Sequence, residues 1–182
     1  MKISILLPYK ENFSPIYPGA VSLFVKDTAN LSKYKKDIVV YGSTNYKKIF
    51  PIKYFNIILS NFKFKSKSKQ YVEKFINIEK DNPSDLIEVH NRPNYLSDIV
   101  KSLTKKNLVL YFHNDPLTMT GSKSINERKF LLKSCYKIIF NSNWSKKRFL
   151  EGMHDKFVNS EKLLVIFQSA KKLSVNHKQK KK

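Results

Sequence analysis

Two short polar segments contain the residue types best suited to chemistry in this sequence. Each begins where an apolar run stops and ends at a proline: HNRP at residues 90–93 and HNDP at residues 113–116. Imidazole donates, accepts or exchanges protons near neutral pH, while amide, carboxylate and guanidinium groups bind polar or charged partners. The candidate site residues in these segments are His90, Asn91, Arg92, His113, Asn114 and Asp115.

The apolar runs before these segments have the pattern of neighbouring buried strands. Residues 86–89 and 108–112 show almost no alternation, which is typical of parallel strands covered on both faces. The spacing between the runs suits one strand–helix–strand unit. Ligands of open parallel sheets bind outside the carboxyl ends of the strands. We therefore expect residues 90–93 and 113–116 to meet at one edge of a sheet, which we call the rim.

Strands and helices are predicted to alternate along the whole chain. Predicted strands span residues 3–7, 38–41, 54–59, 86–89, 108–112, 138–140 and 163–167. Predicted helices span residues 18–33, 69–79, 93–105, 124–135 and 142–152. The first helix is expected to bury one face, made of Val21, Phe24, Val25, Thr28 and Leu31. This alternation predicts an α/β fold, with a doubly wound, mostly parallel, Rossmann-like sheet and helices on both faces.

A glycine-bearing turn, YPGA at residues 17–20, follows the first predicted strand and opens the first helix. Gly19 would let backbone N–H groups approach a ligand at the helix N-terminus, where anions are favoured. Gly19 is therefore a further candidate binding residue at the rim. The dinucleotide fingerprint G-x-G-x-x-G is absent, so this glycine alone does not establish a phosphate site.

Each rim residue also has a structural interpretation. A histidine at a strand end is commonly a hydrogen-bonded structural residue, and Asn or Asp before Pro is an ordinary turn former or helix cap. Arg92 fits a ligand contact or a surface salt bridge. We favour a functional site because the two similar turns, an arginine and a glycine-opened helix converge. His154 and His177 do not join the rim, and Trp144 is expected to be a packing anchor.

Several catalytic and metal-binding classes are excluded by missing motifs. The sequence contains no H-E-x-x-H, P-loop, G-x-S-x-G or clustered carboxylate pair. The single cysteine, Cys135, excludes an internal disulfide and a multi-cysteine metal site, and fits a small core residue in a reducing compartment. These motifs therefore indicate neither a metal nor a cofactor.

The net charge of +21 suggests an anionic partner. Only three of the 35 basic residues are arginines, which supply most bidentate base recognition, so specific nucleic-acid binding is disfavoured. The lysines are spread along the chain, which is typical of a compositional bias. Aromatics and lysines alternate at residues 54–69, a pattern that suits single-stranded nucleic acid or, as we prefer, an amphipathic edge. Contact with an anionic membrane remains an alternative.

No apolar run approaches the length of a membrane-spanning helix, and the first apolar run is too short for a signal peptide. These features predict a cytoplasmic protein, with peripheral contact to the inner face of a membrane as an open alternative.

The order of elements resembles the N-terminal domain of GT-B glycosyltransferases of the group 1, or family 4, type. The family's first strand, with the glycine-bearing loop that leads into its first helix, is similar to ILLPYKENFSPIYPGAVSLFVKDTA, which starts at residue 5 of this chain. Two strand-and-turn passages of the family resemble DLIEVHNRPNYL and LVLYFHNDP. LLKSCYKIIFNSNWSKKRFLEG and EKLLVIFQSA resemble its later passages, so the likeness extends to about residue 170. The two His-Asn turns are the most specific matches.

This resemblance implies retaining transfer of a sugar from a nucleotide-sugar donor, without a metal. His113 matches the family histidine that faces the donor sugar across the interdomain cleft, and the resemblance makes it the catalytic candidate. Asn91 and Arg92 would contact the acceptor, a glycan or lipid-linked molecule of the cell envelope. Gly19 belongs to the loop near a bound phosphate, although this chain has one glycine where two are usual.

The resemblance also divides the chain into a Rossmann-like acceptor-side domain at residues 1–168 and a lysine-rich linker at residues 169–182. In the family, the nucleotide and the E-x7-E motif belong to a second domain, for which this sequence has no residues. We therefore expect the 182-residue chain to be inactive alone. Two other hypotheses stay open: a stand-alone basic module that binds membrane or nucleic acid, and a subunit whose donor domain comes from another polypeptide.

Overall fold

A parallel sheet forms the centre of the protein in the computed structural model, which describes residues 1–60, 65–104, 107–154 and 160–168. Its strands are β1 (Ile3–Leu6), β2 (Ile38–Gly42), β3 (Tyr54–Asn56), β4 (Leu86–His90), β5 (Asn107–Phe112), β6 (Lys137–Phe140) and β7 (Leu163–Val165). Within these residues the sheet has seven strands in the order β3-β2-β1-β4-β5-β6-β7, and every pairing is parallel. The predicted fold class is confirmed.

Five α-helices connect the strands in the described parts of the chain: α1 (Ala20–Leu31), α2 (Lys67–Asp81), α3 (Leu96–Ser102), α4 (Ile125–Ser134) and α5 (Asn143–Leu150). Side chains cap three of them. Ser66 caps α2, Ser142 caps α5, and Ser124 forms the predicted capping box of α4 with Glu127.

The helices cover the two faces of the sheet unequally. Apolar residues of α2, α3, α4 and α5 pack in one core with the strands of one face, whereas α1 packs on the opposite face in a smaller core with β1 and β2. Phe13 joins the smaller core, where its ring stacks on Tyr54. Beside α1, the second face carries an open groove of about 250 Å³ that reaches the surfaces of β4, β5 and β6.

Several predicted details are wrong at the level of single turns. Leu31 was expected on the buried face of α1 but is 87% exposed, because the helix buries Val21, Ser22, Val25 and Ala29 instead. The helix predicted from residue 93 begins as a 3-10 turn, Pro93–Tyr95, before α3. Trp144 is exposed, with the Arg148 guanidinium 5.9 Å from its ring, and is not a packing anchor.

The predicted core position of Cys135 is confirmed, whereas the predicted linker lies outside the described residues. Cys135 is buried in the larger core, and burial raises the pKa of its thiol to about 12. No helix in the described residues is long and apolar enough to cross a membrane. The described residues also contain no group of three or more metal-ligating side chains. The lysine-rich linker at residues 169–182 lies outside the described residues.

Candidate functional site

The ends of β4 and β5 bring the two predicted histidines into contact. The strands pair in parallel with His90 opposite Tyr111, so the residues that follow them emerge at the same edge. His90 Nδ1 lies 2.8 Å from His113 Nε2. The rim expected from the two His-Asn turns therefore exists, and its histidines form one hydrogen-bonded pair.

Aromatic stacking fixes the planes of these imidazole rings. The Tyr111 ring stacks on His90 at 5.3 Å and on His113 at 4.7 Å between centroids. Phe24 of α1 packs against all three rings, edge-on to His113 at 5.0 Å. Tyr111 was predicted only as a strand residue, and Phe24 only as a buried helix residue. Their ring contacts depend on how α1 crosses the sheet, which no local pattern encodes.

Asn91 holds the two turns together through its backbone and its side chain. Its backbone N–H donates to Tyr111 O at 2.8 Å, and its Oδ1 accepts from His113 N at 2.9 Å. Asn91 has φ of +53°, in the left-handed region that asparagine tolerates better than most residues. Asn141, after β6, donates from Nδ2 to His113 O at 2.7 Å. Both backbone groups of His113 are thus bonded to asparagine side chains.

The His113 imidazole is held in its neutral form. Burial, and to a lesser extent the neighbouring His90, lower its pKa to about 3. His113 Nδ1 lies 2.5 Å from Nε2 of Gln168, so this second ring nitrogen has a partner at the open side of the rim. A neutral imidazole that is partly buried suits hydrogen bonding to an uncharged hydroxyl.

The stability of the fold should decrease as the pH is lowered, because of His113. The unfolded histidine binds a proton near pH 6.5 and the folded one near pH 3, so the unfolded state binds more protons between these values. Stability contributed by neutral His113 is present above about pH 6.5 and is lost as the pH falls, by about 1.4 kcal/mol per pH unit. Urea unfolding of the wild type and a His113→Gln variant at several pH values measures this. Parallel pH slopes for the two proteins would contradict it.

The remaining candidates in the two turns occupy different positions. Asn114 is exposed, and Arg92 is half-buried with Nη1 donating to Asn91 O at 2.9 Å. Among the described residues no carboxylate pairs with Arg92, so the salt-bridge interpretation is not what the structure shows. Asp115 Oδ1 accepts from Leu117 N, and its Oδ2 lies 3.2 Å from Arg148 Nη2. Asp115 therefore caps the turn at residues 116–118, which agrees with the alternative that an aspartate before proline is a turn former or helix cap.

A carboxylate of the chain itself, that of Glu11, lies at the N-terminus of α1 beside Gly19. Glu11 Oε1 accepts from the backbone N–H of Ser22, in the first turn of α1, at 2.9 Å. A Cβ on Gly19 would lie 1.9 Å from the same oxygen. The glycine leaves room for this carboxylate, which stabilises the positive end of the helix as a bound anion would. No sequence pattern indicated Glu11, because it lies eight residues before Gly19.

A Gly19→Ala substitution should act through Glu11. The backbone of Gly19 has φ of −76°, which alanine adopts without strain, so the expected loss of about 0.5–2 kcal/mol comes from displacing the carboxylate cap. In a Glu11→Ala background the same substitution should cost almost nothing. Urea unfolding of the wild type, both single variants and the double variant measures the coupling, and strictly additive losses would contradict this account.

Comparisons with known proteins identify the fold. The structure matches HepE from Anabaena in complex with UDP-glucose, with a TM-score of 0.56 and 18% identity, over 90% of this chain and 43% of HepE. It matches a glycosyltransferase from Rickettsia africae with a TM-score of 0.57 and 15% identity, over 92% of this chain and 43% of that chain. It also matches the UDP-N-acetylglucosamine 2-epimerase from Rickettsia bellii, with a TM-score of 0.55 and 14% identity, over 91% of this chain and 44% of the epimerase.

This chain spans less than half the length of each of these proteins. No protein-family model matches the sequence, and a comparison with curated protein sequences finds no significant match. At 14–18% identity the structural likeness establishes the fold.

Proposed function

We propose that this chain is the acceptor-side half of a glycosyltransferase that takes its sugar from a nucleotide-sugar donor. The observation that carries the proposal is the rim itself: two stacked, hydrogen-bonded histidines at the carboxyl ends of adjacent parallel strands. Ligands of open α/β sheets bind at that edge. The fold shared with the Rickettsia africae glycosyltransferase and with UDP-glucose-bound HepE supports the same proposal.

His113 is the residue we expect to meet the transferred sugar. It is the outer member of the histidine pair, and its Nδ1 already contacts a polar side chain at the open side. Because its imidazole is neutral, it would hydrogen-bond a sugar hydroxyl without adding charge. Its family counterpart in the GT-B resemblance faces the donor sugar, and this role is carried to His113 as a proposal.

The other rim residues would orient the acceptor. Arg92 offers the guanidinium hydrogens that are not donated to Asn91 O, which suits an anionic or hydroxyl-rich acceptor. Asn114 is exposed at the rim and supplies a further donor and acceptor. His90 and Asn91 are buried, so they would act by holding His113 and not by touching the sugar. Gly19 could approach a ligand phosphate only if the Glu11 carboxylate moved away from the N-terminus of α1.

We propose retaining transfer without a metal, with the nucleotide bound by a second domain in the same or another polypeptide. The acceptor would be a glycan or lipid-linked molecule of the cell envelope. The excess of lysine would favour peripheral contact with an anionic membrane that presents such an acceptor. A cytoplasmic location, at the inner face of the membrane, follows from this proposal.

The test is sugar transfer by the full-length product of the native gene. The purified protein is incubated with radiolabelled UDP-sugars and membrane lipid or glycan extract, and labelled product is counted. Transfer that the 182-residue chain alone does not perform supports the proposal. No transfer by either protein, alone or with the polypeptides that co-purify with it, contradicts the proposal, whichever donor is supplied.

The competing function is a basic module that binds membrane or nucleic acid through charge alone. The net charge of +21 is the observation that favours it. Binding to anionic vesicles or single-stranded nucleic acid that weakens by orders of magnitude as salt rises would support this alternative. Transfer that changes little over the same salt range would support recognition in a cleft.

A further inference from the structure

We propose that Glu88 is a positioning residue that fixes the protons of both rim histidines, so that His113 presents an unprotonated Nδ1 to its ligand. The role of that ligand as a sugar rests on the proposed function. The arrangement of protons does not, because it follows from contacts within the chain. Glu88, His90, His113 and Gln168 form one continuous row of contacts from the face of the sheet to the rim.

The row begins at a carboxylate beside a buried imidazole. Glu88 and His90 are two positions apart on β4 and lie on the same face of the sheet. Glu88 Oε1 is 2.7 Å from Nε2 of His90, which has no exposed surface. The contact is not aligned as a hydrogen bond, and no other partner reaches this nitrogen in the described part of the chain.

The charge of the carboxylate decides which nitrogen of His90 carries the proton. A negatively charged oxygen 2.7 Å from Nε2 repels a lone pair on that nitrogen and attracts an N–H, so the proton belongs on Nε2. In the neutral ring, Nδ1 is then an acceptor. Its partner at 2.8 Å, His113 Nε2, must therefore be the donor.

The proton on Nε2 of His113 also determines the state of Nδ1, the nitrogen at the open end of the row. A neutral His113 with its proton on Nε2 has an unprotonated Nδ1. That nitrogen lies 2.5 Å from Gln168 Nε2, an amide group that donates. Gln168 is exposed, whereas Glu88 and His90 lie behind it. A ligand hydroxyl that replaced the amide would donate to Nδ1 of His113. That nitrogen is an acceptor because Glu88, through His90, fixes the proton of His113 on Nε2.

Glu88 is accessible from the groove on the α1 face, independently of the rim. It lines that groove with Phe24 and Tyr111, and its side chain is 23% exposed. The described lining contains no other carboxylate. A substitution at Glu88 therefore changes the proton arrangement without altering a group that touches the ligand.

Nitrogen NMR of the 182-residue chain with 15N-labelled histidine tests the inference. Long-range 1H–15N spectra distinguish a protonated from an unprotonated ring nitrogen at each histidine. In the wild type near pH 7.5 we expect His90 and His113 both to carry the proton on Nε2. A single tautomer with the His113 proton on Nδ1 would overturn the inference.

Variants at Glu88 separate positioning from general structural damage. Glu88→Ala and the nearly isosteric Glu88→Gln both remove the charge, so each should lose the single tautomer and give a mixture at both histidines. Backbone amide spectra establish that each variant is folded. Unchanged tautomers in folded Glu88→Ala would overturn the inference. Because the readout needs no sugar transfer, an inactive gene product with the expected tautomers would refute the proposed function alone.

Discussion

Replacing His113 by alanine is expected to lower kcat/KM for sugar transfer by about 5- to 150-fold in the full-length gene product. The expected size is that of a hydrogen-bonding group left unpaired in a partly desolvated site, about 1–3 kcal/mol. The loss should appear mainly in kcat if the His113 bond to the sugar strengthens in the transition state. The measurement is initial-rate transfer over a range of donor concentrations, under conditions where the wild type is active.

His154 provides the matched control for this substitution. It is an exposed histidine that follows the C-terminal end of α5 and is not one of the candidate site residues. His154→Ala removes a histidine that is not assigned to the rim, and it should retain wild-type transfer. Equal activity of folded His113→Ala and the wild type would contradict the assignment of His113 to the sugar-binding site.

Replacing Asn91 by alanine is expected to destabilise the fold by about 2–5 kcal/mol. About 1–3 kcal/mol would come from the unpaired N–H of His113, which Asn91 Oδ1 accepts at 2.9 Å. A further 1–2 kcal/mol, approximately, would come from holding a residue with a Cβ but no side-chain amide at φ of +53°. Urea unfolding of the chain, analysed as a two-state transition, measures the sum.

Two further variants separate these contributions. Asn91→Gly removes the strain at positive φ but not the unpaired N–H, so it should be about 1 kcal/mol more stable than Asn91→Ala. Asn91→Asp keeps an acceptor for His113 N and tolerates the left-handed region, so it should be the least destabilised. An order in which alanine is the most stable of the three would contradict the role assigned to Asn91.

The sequence was sufficient to predict the sheet and the place of the rim. Continuous apolar runs identified the parallel strands, and the polar residues at their ends identified the edge. His90 and His113 follow from that reasoning, because strands joined through one helix end at the same edge. The buried face of α1 could not be predicted as well, since Thr28 and Leu31 fit the helical period but lie away from the core.

The residues that set the chemistry of the rim were harder to predict. Glu88 lies inside an apolar strand, two positions before His90, so alternation places both side chains on one face, but only the structure shows the 2.7 Å approach of its carboxylate to Nε2. Glu11 reaches the helix at Gly19 from a loop, across a distance that no sequence period describes. Asn141 is recoverable in principle, because it follows β6 as Asn91 follows β4. Local patterns predict elements, whereas these contacts arise from how the elements pack.

Hydrogen–deuterium exchange of the full-length gene product tests most directly whether the rim is the sugar-binding site. Exchange is followed by mass spectrometry with and without the UDP-sugar that supports transfer, at a saturating concentration. We expect slower exchange in peptides covering residues 91–95 and 113–118, and unchanged exchange in peptides covering residues 45–53. Protection confined to other parts of this chain, or protection that disappears as salt rises, would contradict it and favour a binding surface made by the lysines.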